Sequence, residues 1–492
     1  MAKTKDTSPV ILAGAGIGSE KNITLAVLEA LRGADAIVYD RLINPHILDD
    51  FQNRELIYVG KAASRHAMKQ DEINATLVRL HREGKSVVRL KGGDPYVFGR
   101  GSEEALYLKE HGVPFEVLPG LTSGVAVLNT AGIPATHRNM ATSVSFITGH
   151  LAEDAQASYA IYGKLKGTLV FYMGLGRLGE IAQGLMEGGM DPKTPIAVIM
   201  DGGWNSQRSM DATLDTVVEK IEPLNFSSPA LIVVGDVISL REELNFFENR
   251  PLFGKTIVIT RPRHQASRLQ ELLSQEGAEV VSLPTIAIEA VGGEALRTAM
   301  ADFNYSHLLF TSVNGVDLFF REFFKEHDIR ELAGVKICVI GKKTKERVEK
   351  LHLQVDAYPE TYVGEAFVEA VAATIEEGSE ARLFFPHAEG TRKKLLDALK
   401  QLGDLTQVVV YRSVAPREPA ALPQNFDAAV FTSSSTVKNF IELYGREALE
   451  GREIFSIGSI TTDSLISLGF TEVHQSKEAT IESIVEKIRS TL

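Results

Sequence analysis

Cysteine is almost missing from this chain: Cys338 is the only one in 492 residues. A lone thiol excludes an intrachain disulfide and suits a reducing compartment. It sits in the apolar run "VKICVIG", which reads as plain core. Long apolar stretches are missing too, and no run approaches the length of a membrane span. The opening "MAKTKDTSPV" passes directly into a strand, with no signal-peptide region. An excess of positive charge is also absent. The net charge of -12, with a pI near 5.6, argues against nucleic acid as the main partner. That sum says nothing about one cleft, where a basic pocket is still possible. The expectation is a soluble, cytoplasmic protein that binds neither membrane nor nucleic acid, and no motif asks for a metal.

What is present is an ordinary globular composition, 44% hydrophobic and 24% charged, on a chain too long for a single core. Short apolar runs alternate with helical patterns, the signature of α/β architecture. In the first half "VILAGAG", "ADAIVYD", "SVVRLKGG", "FEVLPG", "TLVFYM", "PIAVIM" and "PALIVVG" read as strands. Their helical partners include 24–31, 70–83, 103–111 and 178–187. The charged "SLREELNFFENRPLFGK" breaks the rhythm, which places a linker at 248–254 between domains 1–247 and 255–492. The second half echoes itself. "HLLFTSVNGVDLFF" matches "AAVFTSSSTVKNFI", and "VKICVIGKKTKERV" matches "REIFSIGSITTDSL", each a strand, a turn and a helix. Two similar α/β subdomains are expected, one from about 255–287 plus 417–492 and the other about 288–416, with the chain crossing between them and returning.

Glycine is concentrated where strands end. "ILAGAGIGSEKNITL" places Gly14, Gly16 and Gly18 between a strand and a helix, but the dinucleotide fingerprint wants a glycine where Ser19 stands. An NAD site is therefore disfavoured, leaving a tight turn or a backbone cradle for another ligand. "VVRLKGGDPYVFGRG" puts Gly92, Gly93 and Asp94 at a second strand end. Both loops should open on the carboxyl edge of one parallel sheet, where such sheets bind ligands. Asp94-Pro95 taken alone reads equally well as the start of a turn.

Eight ordered blocks now bear on this: "ADAIVYDRLI", "YVGKAASRHAMKQDEIN", "VVRLKGGDPYVFGRGSEEA", "FEVLPGLTSG", "AGIPATHR", "GTLVFYMG", "TPIAVIMDGG" and "SPALIVVGDV". Over roughly residues 8–245 they resemble the tetrapyrrole methyltransferases, specifically uroporphyrinogen-III C-methyltransferase. The resemblance implies a two-lobed α/β fold with S-adenosylmethionine, S-adenosyl-L-methionine in full, in the cleft between lobes. It further implies a dimer through this half and transfer of two methyl groups to uroporphyrinogen III, giving precorrin-2. Carried over block by block, Gly16, Ile17, Gly92, Gly93, Asp94, Val97, Thr122, Ser123, Met173 and Gly202 line the cofactor site. Asp40 becomes the candidate proton acceptor, or else a helix cap, and Lys61 the candidate donor, or else a carboxylate ligand. Arg100 and Arg138 are assigned to the polycarboxylate substrate, with Arg65, His66, His137 and Arg208 as further cations nearby. Two departures stand out. The first loop carries Ile17 in place of the family's proline, which should loosen it, and Ser19 in place of an aspartate; the later block reads Gly202-Gly203-Trp204-Asn205-Ser206-Gln207-Arg208 where the family has Gly-Thr-x-Pro-x-Gln-Arg.

From about Gly254 onward the chain resembles uroporphyrinogen-III synthase, through "GKTIVITRPR", "LLFTSVNGV", "RLFFPHAEGTR", "VVVYRSV", "VFTSSSTVKNF" and "IGSITTDSLISLGF". This implies two flavodoxin-like subdomains around a wide cleft, and closure of hydroxymethylbilane with inversion of the last pyrrole. Tyr411 matches the family's tyrosine assigned to departure of the hydroxyl. Thr311, Ser312, Ser433, Ser434 and Thr461 stand at strand-end turns, each either facing that cleft or capping a helix. Arg261 and Lys438 are candidate carboxylate ligands. The competing readings are a methylase of a later corrin intermediate and a catalytically weakened S-adenosylmethionine-binding regulator. The pathway's end product, sirohaem or cobalamin, stays open.

Overall fold

In the computed structural model residues 8–60, 68–149, 159–260, 263–359 and 364–492 are described. The chain divides into two compact units, one formed by Met1–Lys255 with Leu273–Glu279 and Leu492, the other by Thr256–Leu272 with Val280–Thr491.

The first unit holds two sheets. Its first sheet runs Glu55–Tyr58, Ala36–Tyr39, Val87–Lys91, Val10–Gly14, Phe115–Leu118, all parallel. Parallel strands buried on both faces need apolar residues on both sides. Leu12 and Val38 accordingly pack into one cluster with Leu77 and Leu108, while their neighbours Ala13 and Ile37 pack into another with Val27 and Leu31. The central strands Val10–Gly14 and Val87–Lys91 are neighbours, yet their continuations diverge. The first leads to Ala36–Tyr39 on one side, the second to Phe115–Leu118 on the other. Divergence of this kind opens a crevice at the carboxyl ends.

The second sheet is mixed, in the order Val144–Thr148, Thr168–Tyr172, Ala230–Val234, Pro195–Met200, Arg208–Thr213, with only the first pair parallel. Its faces carry two further clusters. One of them also receives Ile17 and Val97 from loops of the first sheet, so the two lobes share apolar contacts.

The second unit contains two more five-stranded sheets. One has the order Glu279–Ser282, Thr256–Ile259, Ala428–Phe431, Glu453–Ser456, His474–Gln475, which is the flavodoxin-like 2-1-3-4-5 pattern when its strands are counted along the chain. The other runs Lys336–Val339, His307–Phe310, Arg382–Ala388, Asp404–Val414, Ala287–Ala290. Its first four strands repeat the 2-1-3-4 order in parallel, and antiparallel Ala287–Ala290 takes the edge. The matched segments are structurally equivalent: His307–Phe310 and Ala428–Phe431 each lead through a serine cap into a helix and pair with the following matched strand. The crossing from Ser282 to Ala287 is pinned at buried Thr285, whose carbonyl accepts from Asn439 Nδ2 at 2.8 Å.

Candidate active sites

The crevice of the first unit is built largely of backbone. Gly16 and Gly93 exchange hydrogen bonds, Gly16 N–H to Gly93 O at 3.1 Å and Gly93 N–H to Gly16 O at 2.8 Å. A Cβ on Gly14 would lie 2.5 Å from Gly120 N, and one on Gly120 would lie 2.2 Å from Gly93 O. Three strand-end loops thus meet with no room for a side chain, so these glycines serve loop packing first. Gly93 has φ +70 and, among the described residues, only Thr122 Cα, at 3.9 Å, near its missing side chain. This is where the crevice stays open. A Cβ on Gly92 would meet Leu42 Cβ at 2.7 Å, which sets the Asp40–Leu42 turn against this loop. Asp94 accepts from Tyr96 N–H at 2.8 Å and from Gly120 N–H at 3.1 Å. Its carboxylate therefore holds a turn and a neighbouring loop.

The opposite wall comes from Thr122, Tyr172 and Met173. Tyr172 Oη accepts from Gly124 N–H at 2.7 Å and shares a 2.8 Å hydrogen bond with Thr122 Oγ1. Its ring packs at 4.8 Å from Phe98 and 5.8 Å from Phe146. Thr122 precedes the helix Ser123–Thr130. Met173, Phe98, Leu121 and Phe146 all leave much of their apolar surface uncovered. Phe98, Arg100, Met173 and Asp201 adopt positive φ, four of the six non-glycine residues that do so among the described residues. Such conformations cluster at functional sites. At Gly202 a Cβ would lie 2.4 Å from Val127 Cγ1, so this loop packs closely on the helix Ser123–Thr130.

The first loop, which carries Ile17, is tethered by side chains on both sides. Ile17 O accepts from Asn22 Nδ2 at 2.9 Å, and Gly18 O accepts from buried Asn44 Nδ2 at 3.0 Å. Ser19 caps a short turn through Lys21 N–H. The two asparagine tethers hold the carbonyls of Ile17 and Gly18 and had no signal in the sequence.

Beneath the crevice lies a buried ionic cluster with no counterpart among the expected site residues. The strand Val87–Lys91 is buried throughout although it carries Arg89 and Lys91. Glu104 Oε1, fully buried, accepts from Arg89 Nε at 3.2 Å, Lys91 Nζ at 2.9 Å and Gln70 Nε2 at 3.2 Å. Its Oε2 has no hydrogen-bond partner among the described residues. Burial, followed by the neighbouring Arg89 charge, pushes the Lys91 ammonium below its ordinary pKa against the pull of Glu104. Arg89 Nη2 donates to Asp40 Oδ2 at 3.1 Å while Leu42 N–H donates to Oδ1 at 3.1 Å, which fixes this carboxylate at the mouth. The sequence signal was two basic residues inside an otherwise apolar strand.

The expected substrate cations are scattered. Arg100 forms an exposed, bidentate pair with Glu103. His137 and Arg138 are exposed on a turn. Arg208 donates to Leu224 O at 2.8 Å and lies over the Phe226 ring. Lys61, Arg65, His66 and Arg261 lie outside the described residues.

In the second unit Tyr411 and Ser312 come together. Tyr411 is buried beside a register shift at His387/Ala388, and its hydroxyl donates to Ser312 Oγ at 2.9 Å. Ser312 Oγ also accepts from Gly315 N–H at 3.1 Å, so capping and contact with Tyr411 coexist. Thr311 lies next to it on the same strand end. Ser433, Ser434 and Thr461 belong to the other sheet. Ser433 caps Ser434–Tyr444, Ser434 Oγ donates to Ile460 O at 3.0 Å, and Thr461 is buried. Lys438 is exposed.

Comparison with known proteins finds two family matches along the chain. Residues 9–218 match the family described as Tetrapyrrole (Corrin/Porphyrin) Methylases, and residues 267–486 match Uroporphyrinogen-III synthase HemD. The Porphyrin biosynthesis protein HemD of Ruminiclostridium josui is 36% identical, with 97% of each chain covered. A Uroporphyrinogen-III C-methyltransferase of Bacillus subtilis is 38% identical over 69% of this chain and 71% of its own. That of Methanocaldococcus jannaschii is 47% identical over 48% of this chain and 98% of its own. With two ordered matches and a relative aligned almost end to end, the chain belongs to the tetrapyrrole methylase family in its first half and to the uroporphyrinogen-III synthase family in its second.

Proposed function

We propose that the chain is a bifunctional enzyme of tetrapyrrole biosynthesis. Residues 255–492 close hydroxymethylbilane to uroporphyrinogen III, and residues 1–247 then add two methyl groups to give precorrin-2. The observation that carries the methyl-transfer half is the switch-point crevice, in which Asp40, clamped by Arg89, borders open Gly93 and the uncovered apolar wall around Met173. S-adenosylmethionine, when bound, supplies a methyl group already activated on a positively charged sulfur. The residues fit such a group. Backbone at Gly93 admits it closely, and Met173, Leu121 and Phe98 offer apolar surface for it to cover.

The protein's own work is then alignment and exclusion of water. Tyr172, tied to Thr122 and Gly124, sets the wall that orients the donor. Asp40 takes the proton released when the pyrrole carbon gains its methyl, and Lys61 returns one to the macrocycle. In the second unit Tyr411, held by Ser312, gives its proton to the departing hydroxyl, which leaves as water. Ring closure then depends on how the cleft folds the linear substrate. A cytoplasmic location and a homodimer through the first half complete the reading. Among the described residues no helix is long and apolar enough to cross a membrane.

The test supplies hydroxymethylbilane and S-adenosylmethionine to the full chain and follows product mass and isomer. A type III product two methyl groups heavier supports both halves. Unmethylated type III product removes the first assignment, and type I product removes the second.

A further inference from the structure

Glu248 lies at the close of the first unit, in the stretch that reads from sequence as a linker, yet it is half-encased in polar contacts. Its carboxylate accepts from Gln207 Nε2 at 2.7 Å and Asn245 Nδ2 at 2.8 Å, and also from Ser209 Oγ and Arg241 Nη2. Gln207 is buried, and its amide is fully used. Oε1 accepts from Gly203 N–H at 2.8 Å and Thr130 Oγ1 at 2.8 Å, while Nε2 donates to Thr130 O at 3.2 Å and to Glu248.

A carboxylate can only accept. Facing Glu248, the Gln207 amide must turn its NH₂ toward that carboxylate and its oxygen toward Gly203. A flip would set NH₂ against the Gly203 N–H and oxygen against both the carboxylate and the Thr130 carbonyl, so three contacts would turn repulsive. Gly203, with φ +84, is in turn the residue against which the first loop packs. A Cβ on it would lie 2.8 Å from Ile17 Cδ1, and one on Gly18 would lie 2.1 Å from Gly203 O. The contacts therefore run from Glu248 through Gln207 and Gly203 to Ile17 and Gly18. The segment itself is seated firmly, because a Cβ on Gly132 would meet Asn245 N at 2.6 Å.

We infer that Glu248 is a positioning residue for methyl-donor binding: by fixing, together with the Thr130 carbonyl, the orientation of the Gln207 amide, it holds the Gly202–Gly203 loop against Ile17–Gly18. This deepens the methyltransferase reading and rests on it. It also makes residues 241–248 a working part of the first site. Loss of one such partly buried acceptor is worth about tenfold in affinity.

The experiment is calorimetric titration of the full chain with S-adenosylhomocysteine for wild type, Glu248→Ala and Glu248→Gln, with KM for S-adenosylmethionine and for uroporphyrinogen III measured separately. Glu248→Ala should raise the S-adenosylhomocysteine Kd and the S-adenosylmethionine KM about tenfold, with the tetrapyrrole KM unchanged. Glu248→Gln should fold as wild type and fall between, since its amide can still accept but no longer enforces one orientation. Unchanged donor binding in both variants, or equal losses for donor and tetrapyrrole, overturns the inference. Failure of the wild type itself to bind S-adenosylhomocysteine would instead overturn the methyl-donor reading.

Discussion

Tyr411 and Cys338 are both buried in the second unit, but burial has opposite consequences for them. Tyr411 keeps its hydroxyl bonded to Ser312, a group that itself caps a helix, so the phenol is held at a fixed point. Tyr411→Phe removes the donor and about 0.5–1.5 kcal/mol of net hydrogen bonding, too little to unfold the unit. The expected outcome is a shift from type III toward type I ring, read by chromatography of the oxidised products. An unchanged ratio and rate would remove Tyr411 from the mechanism. Cys338 has its thiol pKa pushed up to about 12, chiefly by burial. An unfolded thiol releases its proton near its ordinary value, whereas the folded one keeps it to about 12. Over that window the unfolded state binds fewer protons, so this group lowers stability as pH rises. Iodoacetamide at pH near 8.5 should therefore leave the folded chain unlabelled and label it in urea. Labelling in the folded chain would show an accessible thiolate.

At the scale of elements, the strand Val87–Lys91 shows where the sequence was and was not legible. Its apolar residues announced a buried strand, as did the other six runs read as strands in the first half. Helices over 70–83 and 178–187 also emerged within a residue or so of Gln70–Arg82 and Leu178–Glu187. Glu55–Tyr58, Val144–Thr148 and Arg208–Thr213 escaped, because each mixes polar residues into a short segment. The ionic cluster escaped as well. Nothing local to "VVRLK" reveals that Glu104 and Asp40 will meet it, nor that Asn22 and Asn44 will tether Ile17 and Gly18. The motif residues were legible, but their supports were not. The cluster can be tested directly. Glu104→Gln keeps the shape but leaves Arg89 and Lys91 without their buried counter-ion, at a cost of about 3–5 kcal/mol. Urea unfolding should show that loss, and adding Lys91→Met should recover part of it by removing one uncompensated cation. A Glu104→Gln chain as stable as wild type would mean the cluster is hydrated.

For the molecule as a whole, the apolar clusters decide what unfolds together. Among the described residues, four draw only on the first unit and three only on the second. Separate cores make separate cooperative transitions the expectation in scanning calorimetry. A ligand that binds one folded unit stabilises it by RT ln(1 + [L]/Kd), about 2.7 kcal/mol at a hundredfold excess over Kd. For a unit of this size that corresponds to a rise of roughly 5–10 °C in Tm. S-adenosylhomocysteine should thus raise one transition and leave the other in place, and hydroxymethylbilane analogues should do the reverse. Equal movement of both transitions would show that the two cores unfold as one body. No movement of either would mean that the crevice at Gly93 does not hold the donor, and the methyl-transfer assignment would fall with it.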